Sequence, residues 1–183
     1  MLRKKVFVYA VFILSIVLVQ TNIVNVIEIF GVKPNIFLVF IIVAGLTNGS
    51  STGAVVGFIM GLIMDSYSPV PVGTFALLGM YTGVIAGISN RSFFRDNYVL
   101  TVVFTLIYTI VYETVVFLLL FSWSYMSGGI GGILMNLIYS LKNIIVIEAI
   151  YNVPFAIFLH LLSFKFLVGL DSEKKRLQYK KSY

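Results

Sequence analysis

Long apolar runs are the feature that most constrains how this chain can fold. Three of them, residues 6–27, 98–121 and 144–166, reach the roughly 20 residues that an α-helix needs to cross a hydrocarbon layer. Since 60% of the 183 residues are hydrophobic and 11% are charged, a soluble domain could not cover this much apolar surface. The sequence predicts an all-α, polytopic membrane helix bundle, with residues 1–170 as one integral membrane domain and 171–183 as a basic cytoplasmic tail.

Three shorter apolar runs lie between the first run and the fifth, at residues 36–46, 53–64 and 72–88. The first two of these span a bilayer only if their flanks are helical too. They are either tilted short spans in thinned bilayer or the two arms of one re-entrant hairpin. Residues 47–52, which are all polar or glycine, separate the two runs and favour a turn at a membrane surface over the middle of one long helix.

Eleven of the 13 lysines and arginines orient the bundle, because they cluster before the first segment, after the fourth, and in the tail. They are Arg3, Lys4, Lys5, Arg91, Arg95, Lys165, Lys174, Lys175, Arg176, Lys180 and Lys181. Lysine and arginine favour the cytoplasmic side, and only an even number of crossings puts all three clusters there. We therefore predict six transmembrane segments with both termini in the cytoplasm. The net charge of +6 is then explained by membrane topology, and no nucleic-acid partner is expected.

The connection between the fifth and sixth segments has one apolar face and one polar face. The apolar face carries Ile130, Ile133, Leu134, Leu137, Ile138 and Leu141, and the polar face carries Asn136, Tyr139, Ser140 and Asn143. This pattern predicts a short amphipathic outer helix after a glycine-rich hinge. It would lie in the membrane interface, against a partner, or against its own bundle.

Glycine recurs at every fourth position in two consecutive segments. The third segment carries Gly53, Gly57 and Gly61, and the fourth carries Gly79, Gly83 and Gly87. Small residues at this spacing open a groove that lets another helix backbone approach closely. We predict that the third and fourth segments pack on each other through these glycines; the alternative is a groove for an outside helix.

Two acidic residues in the middle of the chain need separate explanations. Asp65 ends the third segment, where we expect it at the outer interface, hydrogen-bonded to the backbone of the turn that contains Pro69 and Gly73. A pocket-lining or partner-binding role is the alternative. Glu113 lies about 12 Å inside the outer end of the fifth segment, within hydrocarbon. It is either a functional intramembrane carboxylate or a protonated side chain that locks two helices together.

Further polar residues accompany Glu113 along one face of the fifth segment, namely Thr101, Thr105, Tyr108, Thr109 and Tyr112. Glu148 and Asn152 share a face near the outer end of the sixth segment. From these we select an intramembrane polar or partner-binding group of Tyr108, Tyr112, Glu113, Glu148 and Asn152. No nucleophile with a base, phosphate loop or metal-ligand cluster is recognisable, so we expect no catalysis, no metal and no cofactor.

The stretches KPNIFLVFIIVAGL, GAVVGFIMGLIMDSYSPVPVGTFAL and YETVVF together resemble the MreD family of bacterial rod shape-determining proteins. The shared pattern is a proline-led second segment, a glycine-rich third segment ending in GLxxD, a turn into xGxxAL, and a Tyr-Glu pair in the fifth segment. The matching residues are Pro34, Asn35, Gly57, Gly61, Asp65, Gly73, Ala76 and Glu113. Asn35 stands where the family frequently has an acidic residue.

This resemblance implies a non-catalytic scaffold of the cell-elongation machinery, which joins cell shape to peptidoglycan synthesis in the bacterial cytoplasmic (inner) membrane. The implied partners are MreC, the actin-like MreB filament, the glycosyltransferase RodA, a class B penicillin-binding protein and membrane lipid. Six short helices with both termini inside also resemble the substrate-binding subunit of an energy-coupling-factor vitamin transporter. That family often has an Ala-xxx-Ala face on its first helix, whereas here Ala10 is followed by Leu14.

The six-crossing topology predicts which positions face the outside of the cell. Because the chain has no native cysteine, single cysteines at Ser51, Ser68, Ser92, Ser127 and Ser172 can be labelled one at a time with an impermeant maleimide. We expect labelling of intact cells at positions 68 and 127 alone, and at every position after lysis. Labelling of position 172 in intact cells would contradict an even number of crossings.

Overall fold

The computed structural model describes residues 2–23, 28, 31–68, 71–89, 98–126, 133–163 and 165. The all-α prediction is confirmed over these residues, which form six α-helices and one π-helical segment, Val19–Ile23, that follows the first α-helix. The α-helices are α1 (Leu2–Leu18), α2 (Ile36–Asn48), α3 (Ser50–Asp65), α4 (Thr74–Ile88), α5 (Tyr98–Met126) and α6 (Ile133–Ser163).

Two of the described helices are long and apolar enough to cross a membrane. The stretches that meet this condition are Tyr98–Ser122 in α5 and Ile145–Ser163 in α6. The apolar stretches of the other four α-helices are shorter, at 10–17 residues. The number of α-helices therefore agrees with the number of segments predicted from the sequence, whereas six complete membrane crossings remain a prediction.

Helix α2 lies at the centre of the bundle. It is apolar all round, and every residue from Ile36 to Thr47 is buried. Such a helix has no face for solvent or lipid, so other helices must cover it on all sides. Helices α3, α4 and α6 pack against it most extensively, and α1 adds a ring contact in which Phe12 stacks on Phe40 at a centroid distance of 6.0 Å.

The predicted break between the second and third apolar runs is confirmed at Gly49. Its φ of 89° lies in the left-handed region that favours glycine, and its N–H donates to the carbonyl oxygen of Gly45 at 2.9 Å. Helix α2 ends at Asn48 and α3 begins at Ser50, so this one residue reverses the chain. The polar residues on either side of Gly49 form the end of α2 and the start of α3. The backbone groups that have no partner within either helix therefore lie together in the turn.

The glycine faces of α3 and α4 lie against each other, backbone to backbone. A Cβ atom added to Gly57 would overlap the carbonyl of Gly79, and one added to Gly53 would overlap that of Gly83. At Gly61 the added atom would overlap the backbone of Phe75. Nothing larger than hydrogen fits at these positions while the helices stay this close.

The predicted separate amphipathic helix is wrong, because the backbone of α6 is one continuous helix over Ile133–Ser163. No glycine or proline interrupts residues 133–153, so nothing in the sequence stops the helix between the amphipathic stretch and the sixth apolar run. Likewise α5 continues to Met126, five residues beyond the predicted end. The basic loop after α4, the tail 171–183 and Pro69 lie outside the described residues.

Replacing Gly57 with leucine tests the contact between α3 and α4. The new side chain would meet the α4 backbone, and overpacking of this kind costs roughly 1–3 kcal/mol of folding free energy. We expect less folded protein in membranes. Quantitative blotting measures the total amount of protein, and the fraction that stays monodisperse after extraction in detergent measures how much of it is folded. Val55→Leu is the matched control, since Val55 is 60% exposed on the opposite side of α3. Equal accumulation of the two variants would show that the glycine face does not pack.

Candidate functional site

Polar side chains pair in a row along the contact between α5 and α6, and we call this row the polar seam. Two of its pairs are hydrogen-bonded: Thr101–His160, with 2.8 Å between the hydroxyl oxygen and Nδ1, and Thr109–Asn152, with the amide donating at 3.2 Å. Glu113 and Glu148 occupy the next matched position, four residues further along α5 and four residues back along α6. Each step of eight or four residues along α5 is matched by an equal step backwards along α6. This is the register of two antiparallel helices in continuous contact.

Thr105 occupies the step of the polar seam between its first two pairs. It is fully buried, and the register places Ala156 level with it on α6, where no polar group is available. Its hydroxyl group has no hydrogen-bond partner. The threonine and alanine side chains are small, so both helices can approach closely at this level.

Asn35 joins the start of α2 to the outer part of the polar seam. Its side-chain oxygen accepts from the N–H of Leu38 at 3.1 Å and so caps α2. Its backbone N–H donates to Oδ1 of Asn152 at 2.9 Å, and its side-chain amide donates to Oε1 of Glu113 at 3.3 Å. One residue therefore connects three helices that are far apart in sequence.

Gln20 holds the π-helical segment against the same end of α2. Its side-chain oxygen accepts from the N–H of Ile36 at 2.9 Å, and its amide donates to the carbonyl oxygen of Pro34 at 3.1 Å. Sequence reasoning missed this residue because it lies near the end of an apolar run. The available signal was a long polar amide among valines and leucines, which is unusual within a candidate membrane helix.

A cavity of about 560 Å³ lies where α2 begins and α3 ends, beside the outer part of the polar seam. Its walls are partly polar and partly apolar, and are formed by Gln20, Thr21, Lys33, Pro34, Asn35, Phe37, Met64, Tyr67, Ser68, Phe75, Glu113 and Glu148. The Lys33 ammonium lies 3.3 Å from an oxygen of Glu28, and both side chains are substantially exposed. The cavity thus has a paired cation at its edge and two carboxyl groups in its wall.

Asp65 closes the turn between α3 and α4. One carboxylate oxygen accepts from the N–H of Phe75 at 2.8 Å, and the other accepts from Gly73 at 2.8 Å and Ala76 at 3.2 Å. The side chain is 3% exposed, so these bonds satisfy a buried charge as well as three N–H groups at the start of α4. Gly73 has a φ of 103°, a conformation that favours glycine.

The structure brings together three of the five residues selected as an intramembrane polar group, namely Glu113, Glu148 and Asn152. The other two contact different helices. The hydroxyl of Tyr108 lies 3.0 Å from that of Ser89 after α4, and the buried Tyr112 donates to the sulfur of Met64 on α3 at 3.8 Å. The tyrosines therefore connect α5 to α3 and to the end of α4 rather than extending the polar seam.

Comparison with known proteins relates this chain to a protein family. A family model described as rod shape-determining protein MreD matches residues 2–169. No curated protein and no solved structure matches the chain. The matched span contains all six α-helices, and therefore the polar seam, the cavity and the Asp65 turn.

Replacing Asp65 with alanine tests the turn between α3 and α4. The change leaves three N–H groups without their acceptor, and loss of hydrogen bonds to a charged group costs roughly 1.5–3 kcal/mol. We expect a lower thermal midpoint in detergent, measured by circular dichroism. Ser66→Ala, next to it but exposed, is the control and should stay close to wild type. An unchanged midpoint for Asp65→Ala would contradict a structural role for the carboxylate.

Proposed function

Because this chain belongs to the MreD family of rod shape-determining proteins, we propose that it is a non-catalytic membrane scaffold of the cell-elongation machinery. The resemblance noted in the sequence is confirmed by the family match over residues 2–169. In this proposal the protein is a multi-pass component of the bacterial cytoplasmic membrane. It binds MreC and couples it to the MreB filament inside the cell and to RodA and a class B penicillin-binding protein, which build peptidoglycan.

The observation that carries this proposal is the family match over nearly the whole chain, and the shape of the described part is consistent with it. The described residues are almost all helical, with one residue between α2 and α3 and eight between α3 and α4. A chain of this kind meets partners through helix faces. Helix α1 exposes Val6, Phe7 and Leu14 at 62%, 69% and 64%, and such apolar faces contact lipid or a partner's membrane helix.

A second candidate function, the substrate-binding subunit of a vitamin transporter, is favoured by the cavity. Its volume of about 560 Å³ lies within the range of roughly 300–1,000 Å³ that is usual for small-molecule sites. The two functions differ in what should co-purify with the protein. A scaffold brings MreC from co-expressing cells, whereas a transporter subunit brings a small molecule that is released on denaturation.

Glu113 serves in this proposal as a hydrogen-bonding lock between α5 and α6. Its Oε1 atom accepts from the side-chain amide of Asn35, and the register of the polar seam places Glu113 level with Glu148. A neutral carboxyl group can both donate and accept a hydrogen bond, so this position can join the two helices without a charge. The lock then depends on shape and hydrogen bonding rather than on a charge at Glu113.

Two substitutions of Glu113 distinguish a neutral lock from an anion. Glu113→Gln keeps size and hydrogen-bonding capacity, so it should preserve MreC pull-down and rod shape at matched membrane expression. Glu113→Ala removes the group and should weaken the complex by the roughly 0.6–2 kcal/mol typical of a polar contact between membrane helices, or about 3- to 30-fold. Thr114→Ala, an exposed neighbour, is the control.

Each outcome of this experiment has a definite meaning. Equal failure of the glutamine and alanine variants would show that Glu113 acts as an anion whose partner is left unpaired. Wild-type behaviour of both would show that the lock has no role in assembly. A wild-type protein that brings down no MreC but carries a vitamin would contradict the scaffold and support the transporter subunit.

A further inference from the structure

The outer face of the α3–α4 pair is apolar and exposed, and we call it the short strip. Its members are large hydrophobic residues, namely Val55, Phe58, Ile59 and Leu62 on α3, and Leu77, Tyr81, Ile85 and Ile88 on α4. The six glycines of these helices lie in the contact between α3 and α4 instead. Membrane helices pack closely through small residues, and the short strip has none. It is therefore suited to acyl chains rather than to a close-packed partner helix.

The two helices beneath the short strip are shorter than an average bilayer is thick. Helix α3 has 16 residues and α4 has 15. At a rise of about 1.5 Å per residue these helices are about 24 and 22 Å long, against roughly 30 Å of hydrocarbon. Tilting a helix reduces the thickness that it spans, so these lengths are upper limits.

The ends of α3 belong at water rather than inside hydrocarbon. The residue at its N-cap is Gly49, which has no side chain to accept from the N–H groups of the first turn. Such groups need water, because hydrocarbon offers no acceptor. At the other end, the exposed Ser66 and Tyr67 follow the helix, and tyrosine is typical of the boundary between membrane and water. The water-facing ends of α3 are therefore no further apart than the helix is long.

Thinning of the bilayer is the one remedy for this mismatch that the sequence and the short strip leave open. A short membrane helix is accommodated by a thinner bilayer, by long basic side chains that reach the headgroups, or by oligomerisation. Residues 34–90 contain no lysine or arginine, which excludes the second remedy for α3 and α4. The third requires a surface for close helix packing, and the short strip lacks the small residues for it.

Helix α5 presents a much longer apolar surface to its surroundings. Its exposed hydrophobic residues extend from Val99 to Leu120. This distance along the helix is about 32 Å, which matches a hydrocarbon layer of average thickness. One bundle therefore presents apolar surfaces of two different heights.

We propose that the short strip holds the adjacent bilayer roughly 6–8 Å thinner than average and gathers phospholipids with short acyl chains. Long acyl chains beside α3 and α4 would have to bend or compress to cover this strip, whereas short chains cover it without distortion. Beside α5, both kinds of chain fit a bilayer of ordinary thickness. The protein thereby sorts lipids by chain length around its own perimeter, a property that the proposed scaffold role does not require.

Tryptophan fluorescence measures the lipid preference of each surface in the full-length protein. The only tryptophan of the chain, Trp123, is removed as Trp123→Phe. In this background Tyr81→Trp reports on the middle of α4, and Val111→Trp reports on α5 near the middle of its apolar stretch, Tyr98–Ser122. The two sites are similarly exposed, at 58% and 53%. The bilayer is dioleoyl phosphatidylcholine, to which brominated phosphatidylcholine with short or with long acyl chains is added as the quencher.

The relative quenching by the two brominated lipids gives the preference for chain length at each site. We expect the Tyr81→Trp protein to favour the short-chain lipid about two- to fivefold, and the Val111→Trp protein to show no such preference. Phe58→Trp, at the middle of α3, gives the same reading from the other helix if Tyr81→Trp does not accumulate.

Three results would overturn the proposal. Equal preferences at the α4 and α5 sites would show that the short strip does not thin the bilayer. Weak quenching by both lipids in the Tyr81→Trp and Phe58→Trp proteins would show that a protein surface covers the strip. A cysteine at position 51 that stays unlabelled after lysis would place this end of α3 within hydrocarbon. None of these results bears on the MreC pull-down, so the scaffold and the lipid surface fail or succeed separately.

Discussion

Pairing of polar groups away from water is the constraint on which the arrangement of α5 and α6 depends. A contact between polar side chains of membrane helices contributes only about 0.6 kcal/mol on average, while an unsatisfied polar group in hydrocarbon costs several kcal/mol. The polar seam therefore adds little stability in its correct register and penalises every incorrect one. A shift of α6 by one turn would separate Asn152 from Thr109 and His160 from Thr101 together.

The other helices use a different kind of contact. Helices α3 and α4 meet through glycine, so their backbones touch, and the carboxylate of Asp65 holds the start of α4. Helix α2 is apolar on all sides and fills the space between this pair and α5 and α6. Asn35 connects α2 to the polar seam, because it caps α2 and forms hydrogen bonds with residues of α5 and α6. The outer faces of α1 and α5 are apolar and exposed.

Much of the fold was predictable because it depends on local pattern. Apolar run lengths indicated the helices, and the polar residues around Gly49 indicated the turn. The amphipathic stretch after residue 130 was misread as a separate helix, since periodicity shows a face but does not show whether a helix stops. The pairing of α5 with α6 was not predictable either. Asn35 lies 78 residues from Glu113 and 117 from Asn152, and no local pattern specifies such partners.

Cross-linking within native membranes is the most direct measurement of the polar seam. The register places Thr105 of α5 level with Ala156 of α6, and both are fully buried. In this cysteine-free chain, Thr105→Cys combined with Ala156→Cys should form a disulfide on oxidation, because small residues at a tight helix contact bring the Cα atoms within about 7 Å. Thr105→Cys combined with Ile150→Cys, whose site is 63% exposed, should not. A disulfide in the second pair and none in the first would contradict the register.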